Sequence, residues 1–413
     1  MALSPARRYN HPVNRLLPFA LFFVVSLAVL GGMHAYLWLR LVRDPLVPNP
    51  WRRLASYALL LAGLLIPVGM FAGRLAGRHI STFVPMVAFL WLGLAFLLFA
   101  TLLTMDAVRL LARGGAAAAG LLRGAPDLPT DPSRRLLVAR AMAGGALVVA
   151  GGATAVSVRS ATGPALIEEV PVKLARLPPA LSGYVIAQVS DLHVGPTIRE
   201  REVRRMVDQV NALRPDAIAI TGDLVDGSVR DLGPIVAELG RLQARQGVYF
   251  VTGNHEYYSG AAEWCAFLRE LGVRVLDSER VGLGDGRAGG ATFDLAGIPD
   301  RSAGALPGGP DLPRALAGRD PERGLVLLSH QPRDFGPVFR QGVELQLAGH
   351  THGGQIFPWS LAVRAAFPYV KGLHHHEEAG AAGQVYVSRG TGYWGPPMRL
   401  LAPPEITRIV LTT

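Results

Sequence analysis

Apolar and polar positions follow two regimes along this chain. In the first 160 residues the apolar positions form long, nearly unbroken stretches, at 17–39, 54–72 and 83–104. Each has the roughly 20 residues that a helix needs to cross a bilayer. A fourth stretch, 141–158, is rich in Gly and Ala and only mildly apolar, and residues 114–132, rich in Gly, Ala and Pro, read as a loop or linker. The expected organisation is a region of three transmembrane helices over 1–110 and a linker over 111–135. Residues 136–160 follow as a fourth span or an export signal, and a separate folded domain covers 165–413.

From about Ala165 the rhythm changes to short runs that alternate between strand-like and helical patterns. Five of the strand-like runs, at 185–190, 217–221, 248–252, 325–328 and 345–348, each end in a polar cluster. In order these clusters are Asp191-x-His193, Gly222-Asp223, Gly253-Asn254-His255-Glu256, Ser329-His330 and Gly349-His350-x-His352. Strands that all deliver Asp, Asn or His at their carboxyl ends predict one sheet edge lined with metal ligands. Residues 198–213 predict a helix with Val203, Val207, Val210 and Leu213 on one face, and Trp264 and Phe267 read as the core face of another. A short strand is expected near Leu295–Ile298, between Gly-rich loops at 282–290 and 303–313.

Charge sharpens the division. Of the 41 Lys and Arg residues 16 lie in the first 160 positions, with only 4 of the 31 Asp and Glu, so the formal +10 belongs wholly to that part. The remainder is close to neutral, and no nucleic-acid partner is expected, because a binding face would leave a basic footprint there. The arginines also orient the spans. With four spans, one side holds Arg40, Arg43, Arg52, Arg53, Arg109, Arg113, Arg123, Arg134, Arg135 and Arg140; the other holds Arg7, Arg8, Arg15, Arg74, Arg78 and Arg159. The richer side faces the cytoplasm. The expectation is a multi-pass protein of the cytoplasmic (inner) membrane with its folded domain outside. Three spans would put that domain in the cytoplasm. Ser133-Arg134-Arg135-Leu136-Leu137 ahead of the mild stretch also resembles a twin-arginine export signal, which again places the domain outside. The single Cys265 excludes an internal disulfide and a multi-thiolate metal site, and it reads as a buried apolar residue.

Asp191, His193, Asp223, Asn254, His330, His350 and His352 make seven nitrogen and oxygen donors without sulfur. Zinc alone usually takes about four. Seven suit two ions sharing a carboxylate at ~3.5–4 Å, the spacing used in phosphoester chemistry. Mixed carboxylate, imidazole and amide donors favour two divalent transition-metal ions, Mn, Fe or Zn.

These five ordered blocks resemble the signature of the calcineurin-like metallophosphoesterase family. The tail, with Ser388-Arg389-Gly390-Thr391-Gly392 and Gly395-Pro396-Pro397-Met398-Arg399, is similar to a membrane-tethered bacterial branch. The resemblance implies an α/β (α+β) four-layer sandwich of two mixed β-sheets flanked by helices, here preceded by the α-helical transmembrane region. It implies that Asp191, His193 and His352 hold one metal, that Asn254, His330 and His350 hold the other, and that Asp223 bridges them. His255, adjacent to a ligand, would donate a proton or hydrogen bond toward the leaving group, with Glu256 a candidate to orient it. Water activated between the two ions would attack phosphorus in line with the leaving oxygen.

The expected activity is therefore metal-dependent hydrolysis of phosphomonoesters or phosphodiesters, on small-molecule or lipid-linked substrates at the bilayer. Arg389 and Arg399 are candidate substrate contacts, while His374-His375-His376 reads as a solvated loop. The competing reading is a non-catalytic interaction module or sensor on the same fold. The complete ligand set counts against it.

Overall fold

The structure, a computed structural model, describes residues 13–75, 80–123, 131–285, 290–304 and 309–413. Arg7, Arg8 and Arg78 of the orientation count lie outside the described residues, as do parts of the expected linker (124–130) and of the two Gly-rich loops (286–289 and 305–308). The chain forms two compact units, 1–72 with 91–153, and 73–90 with 154–413.

The amino-terminal helices are α1 (Val13–Trp38, continued by a π turn over Leu39–Arg43), α2 (Trp51–Leu75), α3 (Ile80–Arg123) and α4 (Pro132–Thr162). Each of the four is long and apolar enough to cross a membrane. Leu60, Leu61 and Leu64 of α2 stand exposed, as suits side chains that meet lipid rather than a protein core. Several polar groups pair across the helices: Tyr36 donates to Asp106 at 2.5 Å, Arg40 meets Asp106 at 2.9 Å, and Trp91 Nε1 donates to His34 Nε2 at 3.0 Å. The loop expected from residue 114 is absent as far as Arg123. The α3 helix continues there because a run of alanines, the strongest helix formers, outweighs Gly114 and Gly115.

The second unit holds twelve strands. One sheet has the order β1 (Leu166–Lys173), β12 (Glu405–Thr412), β2 (Tyr184–Val189), β3 (Ala217–Ile220), β4 (Val248–Phe250), β5 (Arg274–Val275). The other runs β10 (Gly372–Glu378), β11 (Ala381–Val387), β9 (Leu345–Ala348), β8 (Leu325–Leu328), β7 (Thr292–Gly297), β6 (Glu279–Gly284). Both are mixed, with parallel centres and antiparallel pairings at β12–β2, β10–β11 and β6–β7. The expected single sheet edge is thus corrected to the facing ends of two sheets. Apolar runs report that a strand is buried on both faces, but not which sheet it joins.

Alternation within the strands explains the layers. On β3, Ala217 and Ala219 point into the core between the sheets, whereas Ile218 and Ile220 pack beneath α5 (Glu200–Ala212), α6 (Val229–Val236) and α8 (Ala261–Glu270), the last of which follows α7 (Asn254–Ser259). Val203, Met206, Val207 and Val210 are the buried stripe of α5, and Trp264 of α8 is wholly buried. Cys265 is half-buried against the same core. Beyond the second sheet, α9 (Leu312–Ala315) and α10 (Phe335–Phe339) close a third cluster, and α11 (Trp359–Ala366) follows β9 with no buried residue. His374–His376 lie in strand β10, not in a loop; His374 stacks on Tyr369 and His376 packs against Phe335.

Register aligns the chemistry. Val189 pairs with Ile220 and Ile220 with Phe250, so β2, β3 and β4 end at one level. Buried Gln188 joins the sheets, its Nε2 donating to Thr221 Oγ1 and to the Ala348 carbonyl, both at 3.0 Å.

Candidate metal centre

Each cluster that follows a strand must turn sharply to bring its side chain back over the strand ends. Asp191, His193, Asp223, His350 and His352 do so with φ between 51° and 71°. Five non-glycine residues in the left-handed region, all carrying donor side chains, are a costly concentration of strain of the kind that gathers at functional sites. Gly253 and Gly349 permit the close approach: a Cβ on Gly253 would strike the Asp223 carboxylate, and one on Gly349 the side chains of Ser190 and Asp191.

The donors gather in groups. The ligand-type atoms of Asp191, His193 and His352 lie within 4.8 Å of one another, as do those of Asp223, His330 and His350. Asp223 Oδ2 sits between the groups, 3.1 Å from His330 Nε2 and 3.8 Å from His193 Nε2. The Nε2 atoms of His193 and His352 face each other at 3.1 Å, and His350 Nδ1 faces His330 Nε2 at 3.2 Å. Asn254, at the start of α7 and next to His255, has a buried side-chain Oδ1 with no hydrogen-bond partner. Positions are fixed from behind: Asp191 accepts from the His350 N–H at 3.0 Å, and His330 Nδ1 donates to the Thr221 carbonyl at 2.7 Å.

The electrostatics match an incomplete cluster. Burial works against a charged ring at His193 and His330, yet the carboxylates outweigh it. Asp226, with Asp223 and Asp191, lifts His193 to about 9, and Asp223, with Asp191, lifts His330 to about 10. Burial, then the charged ring of His330, brings His350 down to about 4; burial, then the Arg399 guanidinium, holds His352 well below its usual value. Each facing pair therefore has one ring that takes a proton and one that refuses it. Burial raises Asp191, whereas at Asp223 and Asp226 the surrounding imidazoles overcome burial and keep both carboxyls below the usual range. Facing imidazoles, buried carboxylates and an unpartnered amide oxygen fit a pair of divalent cations: positive charge at two points satisfies every one of them.

Asp226 was not anticipated. It receives His193 Nδ1 at 3.2 Å and His255 Nδ1 at 2.5 Å, and so holds both rings. Glu256, a candidate to orient His255, does not touch it. It is fully buried and accepts from the N–H groups of Asp223 (3.0 Å), Leu224 (2.8 Å) and Gly253 (2.6 Å), tying the β3 and β4 turns together. His255 is half-buried at the mouth, with its ring 5.4 Å from Tyr258 and 5.7 Å from Trp394.

The two candidate substrate contacts differ from that expectation. Arg399 is buried, and its guanidinium donates to the carbonyls of His352 (2.8 Å), Arg389 (2.7 Å) and Gly392. A planar five-donor group is suited to gather several carbonyls at once; that of His352 also accepts from the Gln355 N–H at 3.0 Å. Arg389 is committed to Glu168 at 2.8 Å and to Glu405.

Comparison with known proteins agrees with this geometry. Residues 184–354 match the family model described as calcineurin-like phosphoesterase. The chain is 39% identical over 290 residues, 68% of its length, to a "Transmembrane protein with metallophosphoesterase domain" of Bos taurus, spanning 64% of that protein. It is 37% identical over 247 residues, 59% of its length, to a metallophosphoesterase of Helicobacter pylori strain J99, spanning 63% of that protein. It is 32% identical over 248 residues, again 59% of its length, to a metallophosphoesterase of Aquifex aeolicus, and there it spans 91% of the relative. With the two-sheet sandwich and the gathered donors, these likenesses establish that the chain belongs to the calcineurin-like metallophosphoesterase family.

Proposed function

We propose that this protein is a membrane-anchored, dinuclear-metal phosphoesterase that hydrolyses phosphomonoesters or phosphodiesters. The observation that carries the reading is Asp223 lying between two histidine-containing groups, its Oδ2 3.1 Å from His330 Nε2 and 3.8 Å from His193 Nε2. Asp191, His193 and His352 would hold one Mn, Fe or Zn ion and Asn254, His330 and His350 the other, with Asp223 shared. When bound, such cations supply Lewis acidity toward phosphoryl oxygens and acidify water. The chain's own contribution is positioning and proton transfer. Asp226 fixes His255 through Nδ1, which leaves Nε2, 3.9 Å from Asp223 Oδ2, to protonate the departing oxygen. Glu256 and Arg399 hold the turns that carry the ligands.

Four helices able to cross a membrane, and a bovine relative named as a transmembrane protein, support anchoring in a bilayer. The arginine distribution favours the cytoplasmic membrane with the catalytic unit outside. Anchoring favours lipid-linked phosphoesters as substrates. The test is hydrolysis by the purified full chain, supplied in turn with Mn, Fe or Zn, of nitrophenyl phosphate, its bis-nitrophenyl diester and a panel of lipid phosphates. Metal-dependent release of phosphate or alcohol is expected; inactivity on all of them with every metal would refute the reading. A reporter fused to the carboxyl terminus checks the side of the membrane.

A further inference from the structure

Beside the site, large apolar side chains stand in solvent as a group. Phe357, Trp359 and Leu361 are 42%, 57% and 58% exposed, and Trp394 and Leu401 are 56% and 71% exposed. Backbone pairing holds their two segments together. Phe357 N–H donates to the Leu400 carbonyl at 3.2 Å, and the Gln355 side chain both donates to the Trp394 carbonyl (2.8 Å) and accepts from its N–H (3.0 Å). Single exposed apolar residues are ordinary, but a contiguous set that includes two tryptophans marks a surface with a partner.

The same loop shows what that partner is. Arg399 N–H donates to the Ser157 carbonyl at 2.9 Å, and Tyr393 packs with Ala161 and Ile198. Ser157 and Ala161 belong to the last turns of α4, whose length and composition suit a membrane span. Val156, next to Ser157, is itself exposed. The apolar rim therefore starts where a candidate membrane helix joins the second unit, and a lipid surface is the occupant continuous with that helix. Tryptophan rings favour the headgroup boundary, and α11, apolar at Trp359 and Leu361, carries Arg364 in its last turn, which suits anionic headgroups. Trp394 also carries the rim to the mouth of the site through its contact with the His255 ring.

We propose that the Phe357–Leu361 segment, with Trp394 and Leu401, is a bilayer-contact surface that seats the mouth of the metal site at headgroup level. A phosphoester carried on a lipid then reaches the site without leaving the membrane. That last step rests on the phosphoesterase reading; the surface itself does not.

The experiment uses the full chain with Cys265→Ser, reconstituted in vesicles of phosphatidylethanolamine and phosphatidylglycerol. Spin labels are placed singly through Leu361→Cys and Leu401→Cys, and through Arg201→Cys on the exposed face of α5 as a reference. Collision rates with oxygen and with a water-soluble nickel chelate are read, and bound metal is measured on each sample as the fold control. The oxygen-to-nickel ratio should be several-fold higher at 361 and 401 than at 201. A ratio at either site equal to that at 201, in metal-loaded protein, overturns the surface. If one labelled chain loses its metal, the other decides. Shielded labels in a chain without phosphoesterase activity would refute the catalytic reading alone, and water-exposed labels in an active chain would refute the surface alone.

Discussion

The Asp226 carboxylate accepts from His255 Nδ1 at 2.5 Å, and its other oxygen lies 3.2 Å from Nδ1 of His193. One side chain thus steadies a candidate metal ligand and the candidate proton donor together. Partners of this kind set ring orientation and basicity, and their loss typically costs about 10–100-fold in metal affinity or activity. Asp226→Asn should therefore weaken metal retention and lower kcat, each by roughly that factor. Titration of metal into stripped protein, with kcat measured at saturation, checks both; wild-type values for both would remove the role.

Replacing His255 should separate the two effects. The ring gathers with His193 and Asp226 but belongs to neither the Asp191, His193, His352 group nor the Asp223, His330, His350 group, so His255→Ala should keep its metal yet lose about 100-fold or more in kcat, the range ascribed to general acid catalysis. Elemental analysis beside steady-state kinetics reads the split. Equal losses in metal and turnover would instead make His255 a ligand.

Arg399 predicts a stability effect. Its buried guanidinium donates to the carbonyls of Arg389 and Gly392, and removing it costs about 1–3 kcal/mol for each that is left unsatisfied. Arg399→Ala should lower the thermal midpoint of the full chain in detergent, with metal present, by several degrees. An unchanged midpoint with a raised KM would restore it as a substrate contact.

Much of this was legible beforehand. Apolar runs ending in Asp, Asn or His marked β2, β3, β4, β8 and β9 and the six Asp and His donors that gather in two groups, because buried strands and ligand residues are both conspicuous in composition. Asp226 was not, since an aspartate before Gly227-Ser228 reads as a turn residue, and its pairing with His193 and His255 exists only after β3 and β4 align. Glu256 did carry a signal: an acid three residues after the residue that precedes a helix is spaced to reach back to that residue's N–H, as Glu256 does to Gly253 at the start of α7. Sheet membership was illegible for a different reason. The pairing of β1 with β12 joins Leu166 to Glu405, and no local pattern encodes so distant a register.

Stripping the metal should expose a pH dependence. Carboxylates raise His193 to about 9 and His330 to about 10 above an unfolded value near 6.5. A raised folded value gives stability that is complete below pH ~6.5 and is lost as pH rises through the folded value. The metal-free chain should therefore lose stability between pH ~6.5 and ~10, a loss that bound cations should abolish. Thermal midpoints of chelated and loaded protein across this range test it; parallel curves would contradict it.

The most direct measurement is the metal content of purified full-length protein, wild type and Asp223→Ala, read beside hydrolysis of a nitrophenyl phosphoester. Two equivalents of transition metal in the wild type, with both metal and turnover falling sharply in the variant, are the predicted result. Metal-free wild-type protein that still hydrolyses the ester, with Asp223→Ala equally active, would contradict it.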